Sequence, residues 1–385
     1  MAKQPLLMFV EPGYGNSTWF AKSSAGLRAG AARREIGLEQ LRQPAELRQY
    51  PDVRSAVLVG ASRPWTCAMI HALEQQGVRP VLVGCSPQDF GDAVSGPVFD
   101  RRTLVERMVA YFHQAGRRRL ACVGNKAGDA NDELRRLAFL SGARKLGLPA
   151  SDRDVFGGEG DLLPMVNRFL DHASAYDGAV CVNDQVAVQL IVGARQRGIR
   201  VPEDLFVAGS GSCIIGSLIT PTLTTAMLDY YQMGVQAVYV CHHLEKNPDL
   251  EAVCVTLPCQ IICRGSTAFW PEHPQGGTRP AECAPEPLAE DPDFDRLDQI
   301  ENCLLRCDAL DFGVLRGMLL SHSAEQIAAD LFISPGTVNY RAKKLYRHMG
   351  VTNRQAFLQR LTPYLTNIAA LDEYLPGNPS SGFSL

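Results

Sequence analysis

Short apolar runs alternate with amphipathic segments over the first 210 residues of the chain. A run of four or five apolar residues between loop residues is typical of a buried strand, and apolar residues three and four apart are typical of a helix packed on a sheet. The predicted strands are residues 6–10, 55–59, 80–83, 120–123, 178–182 and 205–208. The predicted helices are residues 18–31, 65–76, 132–145 and 184–197.

This alternation predicts an α/β fold with parallel sheets and helices on both faces. The strand and helix units fall into two runs, the first ending near Val98 and the second near Ser210, which predicts two lobes. Ligands of such folds bind beyond the carboxyl ends of the strands. The loops that follow the strands are therefore where we expect the functional side chains.

Near the end of the chain the pattern changes to short helices with marked starts. Ser323 and Gln326 have the spacing of a capping box, and Ser334 precedes Pro335 as an N-cap residue precedes a proline at the first helical position. Gly350 suits the end of the second helix. The buried stripe of that helix is predicted to be Val338, Ala342, Leu345 and Met349. The pattern predicts a helix-turn-helix within a small all-α domain.

The second of these helices has a polar and cationic face. At about 100° per residue, Tyr340, Lys343 and Arg347 lie opposite Val338. Amide and cationic side chains can contact base edges and phosphates, although an ordinary solvated helix face carries similar residues. The predicted DNA-contacting residues are Thr337, Asn339, Tyr340, Arg341, Lys343, Lys344 and Arg347.

The charge balance favours the DNA-binding interpretation. Residues 311–361 contain seven basic and three acidic residues, a local charge of +4, within a chain whose formal net charge is −3. Positive potential is thus concentrated on the small domain, where a polyanion such as double-stranded DNA would bind.

Residues 312–361 resemble the LuxR/GerE helix-turn-helix family. The resemblance rests on Ile327-Ala328-Ala329-Asp330-Leu331, Ile333-Ser334-Pro335-Gly336-Thr337-Val338 and Met349-Gly350-Val351-Thr352-Asn353-Arg354. It implies that Asn339, Tyr340 and Lys343 face the DNA groove. The family usually begins its first helix with a Thr-x-Arg-Glu-like stretch, whereas this chain has Asp308-Ala309-Leu310-Asp311.

Residues 5–266 resemble the ligand-sensing domain of the lactose-repressor (LacI) family, which has a periplasmic-binding-protein type I fold. The stretches that carry the resemblance are residues 80–83, 97–100, 116–121, 182–184, 199–204 and 221–225. That family usually has its DNA-binding helices at the N-terminus, whereas here they follow the sensor. The arrangement is similar to that of xylose regulators, with LuxR/GerE helices in place of AraC-type helices.

The boundary between the two regions is rich in proline and acidic residues, which is typical of a linker. The predicted division is a sensor at 1–266, a linker at 267–297, a DNA-binding domain at 298–370 and a flexible tail at 371–385.

The LacI resemblance implies a set of ligand-binding residues: Trp19, Phe20, Asp100, Arg136, Asn183 and Ser212. The aromatic pair would stack on a ring, Arg136 would donate to ligand oxygens, and Asn183 would bind hydroxyls. Core packing, a surface ion pair and helix capping are the structural alternatives, and Asp184 is expected to be only an N-cap. Gly209-Ser210-Gly211-Ser212 stands where sugar-binding relatives often have an aspartate, so Ser212 is the expected substitute.

The sequence indicates no metal, cofactor or membrane partner. The twelve cysteines include no Cys-x-x-Cys pair and lie mostly in apolar runs, as reduced and buried thiols do. Neither a signal peptide nor a run of eighteen apolar residues is present, so we expect a cytoplasmic protein.

We therefore predict a ligand-responsive DNA-binding transcriptional regulator with no catalytic residues. Its partners would be double-stranded DNA, a small-molecule effector, with a saccharide as the expected class, and a second copy of the chain in a homodimer. The alternative is a nucleotide-dependent enzyme that uses Gly13-Tyr14-Gly15-Asn16, although the third glycine of that motif is replaced by Thr18. An exported carbohydrate-binding protein would need a signal peptide, and a response regulator would need an acidic pocket beside Glu11.

Overall fold

A computed structural model describes residues 4–13, 17–268 and 294–375. The strands are β1 Leu6–Val10, β2 Leu38–Leu41, β3 Ser55–Val59, β4 Arg79–Val83, β5 Gly96–Phe99, β6 Leu120–Lys126, β7 Val155–Gly158, β8 Gly178–Cys181, β9 Phe206–Ser210, β10 Thr224–Met227, β11 Cys254–Leu257 and β12 Gln260–Ile262. The first helices are α1 Thr18–Arg33, α2 Arg63–Glu74, α3 Arg101–Gln114, α4 Ala130–Lys145, α5 Leu162–Asp171, α6 Asp184–Gln196, α7 Ile215–Leu218 and α8 Tyr230–Lys246. The helices after the linker are α9 Phe294–Leu305, α10 Ala309–Leu319, α11 Ala324–Asp330, α12 Pro335–His348 and α13 Arg354–Leu361.

The first lobe is built on a parallel sheet in the order β2-β1-β3-β4. Alternate residues of β1 enter different cores, because successive side chains of a strand point to opposite faces. Leu6 and Met8 pack in the core that includes α1 and α8 residues, whereas Leu7 and Phe9 pack in the core that includes α2 residues. Strand β5 pairs with β11 and continues this lobe beyond β4.

The second lobe is built on a sheet in the order β12-β10-β9-β8-β6-β7, which is parallel except for β12. Residues of α3 and α4 contribute to the core on one face, and residues of α5, α6 and α7 to the core on the other. The chain crosses between the lobes after β5, after β10 and after β11. The two lobes are therefore joined at several places and not by one linker.

The predicted α/β class with two parallel sheets is confirmed. Each predicted strand and helix is present, with ends that differ by a few residues. The pattern missed β2, whose residues Glu39 and Gln40 are exposed because it lies at the edge of its sheet. It also missed helices α3 and α8, which are amphipathic but follow the crossings between the lobes.

Helices α9 to α13 form a compact unit on the second lobe. Their buried residues, including Val338, Leu345 and Met349, belong to the same hydrophobic cluster as α5 and α6 of that lobe. The predicted stripe of α12 is buried, and the helix ends before Gly350, whose φ is +60°. The cap of α13 is Asn353, whose side chain accepts a hydrogen bond from the Ala356 N–H at 2.8 Å.

Two predicted boundaries need correction. Helix α9 begins at Phe294, inside the predicted linker, of which residues 269–293 lie outside the described part of the chain. The predicted flexible tail begins too early at 371, because a 3₁₀ helix at Ile368–Tyr374 buries Leu371. Tyr374 stacks on Phe312 with ring centroids 4.7 Å apart. No helix within the described residues is long and apolar enough to cross a membrane.

Candidate effector cleft and nucleic-acid interface

A cleft of about 330 Å³ lies between the two lobes. Its walls come from loops that follow the carboxyl ends of β1, β3, β4, β6, β8 and β9, as the fold class predicts. Its lining includes aromatic rings, charged side chains and amides, among them Trp19, Gly84, Arg101, Asn131, Asp132, Arg135, Asn183, Asp184, Tyr230 and Asp298.

Aromatic rings form the first-lobe wall of the cleft. Trp19, in the first turn of α1, lies 6.0 Å from the Tyr230 ring, and Tyr230 meets Phe99 edge to face at 5.5 Å. The Trp19 ring packs over Gly84, where a Cβ atom would lie 2.8 Å from the Trp19 Cη2 atom. This wall can stack on a ring of a bound molecule. Phe20 is half-buried against the core of the first lobe and does not line the cleft.

A buried ion pair lies on the second-lobe side. Asp129 caps α4 and accepts hydrogen bonds from the backbone N–H groups of Asn131 and Asp132. The Asp132 carboxylate lies 2.5 Å from the Arg135 guanidinium and also accepts a hydrogen bond from the Lys126 N–H at 2.9 Å. Burial raises the pKa of Asp132 to about 6, because the charged form loses its hydration. Burial opposes the charge of Arg135, but Asp132, Tyr230 and Asp129 together outweigh it and leave the Arg135 pKa raised.

The loop after β8 carries one predicted residue and one that the sequence misjudged. Asn183 lines the cleft and is the N-cap of α6, accepting a hydrogen bond from the Val186 N–H at 2.9 Å. Asp184 is not the cap. Its buried carboxylate accepts hydrogen bonds from the Thr225 hydroxyl at 2.5 Å and the Cys213 N–H at 2.7 Å. Burial raises the pKa of Asp184.

Asp184 thus packs against Gly209 and accepts from the Cys213 N–H, which follows the Gly209–Ser212 region. Ser212 has a φ of +52° and donates its backbone N–H to the Thr225 hydroxyl at 3.3 Å. Its neighbours Gly211 and Cys213 line the cleft. A ligand role for Ser212 stays a prediction.

Two predicted ligand residues point away from the cleft, each next to a residue that lines it. Arg136 donates from Nη2 to Glu133 at 2.7 Å and pairs with Asp152 on a separate surface groove. It lies one position past Arg135, and one step along a helix turns a side chain by about 100°. Asp100 is exposed and caps α3, accepting a hydrogen bond from the Thr103 N–H at 3.0 Å. The structure therefore replaces Arg136 and Asp100 by Arg135 and Arg101 as cleft candidates.

Helix α9 connects the cleft with the C-terminal helices. Asp298 lines the cleft and accepts a hydrogen bond from the Gln185 amide. One turn further, the buried Glu301 carboxylate accepts hydrogen bonds from the N–H groups of Ile214 at 2.8 Å and Ile215 at 3.0 Å. Burial raises the pKa of Glu301. Nothing in the sequence pattern indicates this contact, because both partners of Glu301 are backbone groups.

A second attachment lies at the end of the described chain. The Asn367 N–H donates to the Leu218 carbonyl oxygen at 2.7 Å, and the Thr366 hydroxyl accepts a hydrogen bond from the Thr220 N–H at 2.8 Å. Tyr364 donates to the Gln189 amide oxygen at 3.3 Å. The C-terminal helices are therefore held to the second lobe on both sides.

Helix α12 presents the polar face that the helical angles predict. Asn339, Tyr340, Lys343 and Arg347 are exposed, and Tyr340 retains 70% of its accessible surface. Thr337 is half-buried in the first turn, where its N–H donates to the Ser334 hydroxyl at 3.1 Å. The exposed face can reach a groove without any change in the core packing beneath it.

The other two cations of α12 are engaged within the domain. Arg341 Nη1 lies 2.7 Å from carboxylate oxygens of both Asp308 and Asp311, and Lys344 Nζ lies 2.5 Å from Asp311. Asp308 and Asp311 also form a reciprocal capping box at the start of α10. The residues Asp308–Asp311, which differ from the family pattern, thus cap α10. Arg341 and Lys344 attach α12 to α10 through these two carboxylates.

Comparisons with known proteins match two separate parts of the chain. Residues 109–267 match the family model described as a periplasmic binding protein-like domain. Residues 311–360 match the model described as bacterial regulatory proteins, luxR family. The chain joins these two domains. No comparison bears on the xylose-regulator type of arrangement, which stays a prediction.

Relatives of the two-domain chain include transcription regulators. The HTH-type transcriptional repressor CytR of Escherichia coli K12 is 21% identical over 220 residues, which are 56% of this chain and 63% of CytR. The chain thus spans less than two thirds of the length of this relative.

Solved structures share the fold of the two lobes. A putative LacI transcriptional regulator from Bacillus cereus subsp. cytotoxis has a TM-score of 0.61 at 14% identity, covering 69% of this chain and 98% of that one. The transcriptional regulator CelR in complex with cellobiose has a TM-score of 0.59 at 18% identity, covering 68% and 84%. At these identities the likeness shows a common fold.

Proposed function

We propose that the protein is a transcription regulator that binds a small-molecule effector between its two lobes and double-stranded DNA through α12. The observation that carries the proposal is the position of α9. Asp298 of this helix lines the cleft and Glu301 holds it to the start of α7, while the helix that follows α9 packs beneath α12. One short helix thus touches both candidate binding regions.

The DNA-binding half of the proposal rests on the exposed face of α12. Asn339 and Tyr340 offer groups for base edges, and Lys343 and Arg347 offer cations for phosphates. The ion pairs of Arg341 and Lys344 attach α12 to the start of α10. The match to luxR-family regulatory proteins covers all of these positions.

The effector half rests on the cleft and on the relatives. The aromatic wall around Trp19 suits a ring-shaped molecule, and the amide of Asn183 suits hydroxyl groups. The cellobiose complex of CelR has the same two-lobed fold. A saccharide is therefore the proposed effector class, as the sequence suggests.

If the lobes close on a ligand, the change in their arrangement would be transmitted to α12 through α9. This helix lies beside α1 of the first lobe and α6 of the second. A ligand that favours one lobe arrangement shifts the population of the attached helices. We propose that the protein acts as a homodimer in the cytoplasm, because paired recognition helices bind half-sites about one helical turn apart.

The test is DNA binding by the full chain and by the double substitution Lys343→Ala with Arg347→Ala. Fluorescence anisotropy with a labelled pool of random duplexes measures affinity against salt concentration. Each lost phosphate contact should lower the slope of log K against log salt by about 0.9. The double variant should show a shallower slope and weaker binding, since both cations are exposed and free to reach phosphate.

The matched control is Arg102→Ala, which removes an exposed arginine of the first turn of α3. It should leave the slope unchanged. Absence of duplex binding by the full chain at about 50 mM salt, where phosphate contacts are strong, would overturn the DNA-binding proposal. Sedimentation of a monomer at micromolar concentration would overturn the homodimer.

A further inference from the structure

Arg101 is a buried cation in the wall of the cleft. It is the first residue of α3 and retains 3% of its accessible surface. It lines the cleft and also a small cavity of about 20 Å³ behind it. Arg135 lies at both cavities as well, and the smaller pocket is otherwise walled mainly by apolar side chains such as Leu104 and Met108.

The partners of Arg101 do not neutralise its charge. Its Nη2 atom donates to the Gly84 carbonyl oxygen at 3.3 Å, and its guanidinium carbon lies 5.6 Å from the Phe99 ring centroid. The Nε atom is buried without a hydrogen-bond acceptor. Within residues 4–13, 17–268 and 294–375 no carboxylate forms an ion pair with this arginine. A buried charge in this condition is costly unless a partner arrives.

The carboxylates around the cleft already have donors. Asp132 pairs with Arg135, and Asp184 accepts from Thr225 and Cys213. Asp129 accepts from two backbone N–H groups at the start of α4. These acids are occupied by the protein itself. Asp89 interacts with Arg101 only at longer range, so Arg101 is the buried charge of the cleft without an ion-pair partner in the described part of the chain.

We propose that the effector carries an anionic oxygen group, either a carboxylate or a phosphate ester, that binds Arg101. This inference rests on the proposed function and narrows its effector from a saccharide in general to an acidic one. The guanidinium fork can donate to two oxygens of one such group.

The first experiment measures the melting temperature of the full chain with five probes at constant ionic strength. The probes are acetate, inorganic phosphate, D-glucose, D-glucuronate and D-glucose 6-phosphate. Anionic probes at several times their dissociation constant should raise the melting temperature by about 2–4 °C. D-glucose should raise it less than either of its acidic counterparts. Response to acetate and glucuronate identifies a carboxylate, and response to phosphate and glucose 6-phosphate identifies a phosphate ester.

The variant Arg101→Gln should lose the response to anions, whereas the adjacent exposed Arg102→Gln should keep it. Comparing the variants removes general salt effects, since those act on both. A third variant, Arg101→Met, tests whether the arginine is kept for the fold. It should melt at the wild-type temperature or above, because it removes an unpaired buried charge and keeps an unbranched side chain.

Three results would overturn the proposal: no anion-specific response of the wild type, an equal response to D-glucose and its acids, or an unchanged response in Arg101→Gln. A lower melting temperature for ligand-free Arg101→Met would also count against it. Duplex binding measured on the same preparations separates the two proposals. If the wild type binds duplex DNA but shows no anion response, only the proposal of an acidic effector is excluded. If the wild type does not bind duplex DNA, the proposal of a DNA-binding regulator is excluded.

Discussion

The cleft and helix α12 both contain several cationic side chains, but the surroundings of these side chains differ between the two regions. In the cleft, Arg101 is buried and Arg135 is half-buried, and Arg135 is neutralised by Asp132. On α12, Lys343 and Arg347 are exposed, so water solvates them whether or not DNA is present. An unpaired charge in the cleft is therefore evidence for an anionic ligand, because burying it without a partner is costly. An unpaired charge on the exposed helix is much weaker evidence, because water solvates it.

The same helix shows what pairing changes. Arg341 and Lys344 lie on the side of α12 that meets Asp308 and the fully buried Asp311, and both are fixed there. Their sequence neighbours Lys343 and Arg347 have no such role. We infer that charges near buried carboxylates mainly stabilise the fold, and that solvated ones mainly bind the polyanion.

The largest effect is expected at Glu301, whose carboxylate is buried between α9 and α7. Glu301→Ala removes two charge-assisted hydrogen bonds and leaves the N–H groups of Ile214 and Ile215 without acceptors. The free energy of unfolding should fall by about 3–5 kcal/mol. Urea denaturation measures this, with Gln299→Ala, an exposed residue of α9, as the control. A loss no larger than that of the control would show that buried carboxylates do not fasten the domains.

Asp132 should give the cleft a pH dependence. Burial raises its folded-state pKa to about 6, above the value near 4 in an unfolded chain. The folded protein therefore binds more protons than the unfolded one between these values. The stability that this group confers is fully present below about pH 4, the unfolded-state pKa. It is lost as the pH rises to about 6, the folded-state pKa. The loss should be about 2–3 kcal/mol.

The measurement is the free energy of unfolding of the wild type minus that of Asp132→Asn, followed from about pH 4 to about pH 8, a range that spans both pKa values. The difference should fall up to about pH 6 and stay constant above about pH 7, because the amide of the variant does not titrate whereas other acids titrate in both proteins. A difference that rises with pH would show that the Arg135 ion pair outweighs burial.

The fold could be predicted from the sequence because its signals are local. Strands such as β1 and β3 are apolar runs of strand length, and the capping residues Ser323 and Ser334 mark their helices in the sequence itself. The spacing of Val338 and Leu345 was enough to orient α12, since helical angles relate its residues directly. The exposed face of that helix was predicted correctly for the same reason.

The cleft was predicted only to the level of its loops. Trp19 and Asn183 line it, but Asp100 and Arg136 each lie next to the residue that does. A family resemblance places a loop in the fold, whereas the direction of a side chain depends on where the helix begins and on its packing. Arg101 and Glu301 could not be found, because the hydrogen-bond partners that the structure gives them are backbone groups.

The smallest effects are expected when Arg341→Ala is compared with Lys343→Ala, two substitutions on the same helix. Arg341→Ala leaves part of the buried Asp311 charge uncompensated, so unfolding free energy should fall by about 1–2 kcal/mol. Lys343→Ala should change stability by less than about 0.5 kcal/mol, since the residue is exposed. Random-duplex affinity should show the reverse order, with the salt slope reduced by about 0.9 for Lys343→Ala. Equal losses of stability, or a larger loss of DNA affinity in folded Arg341→Ala, would contradict the division between pairing and exposure, because both cations would then serve the same purpose.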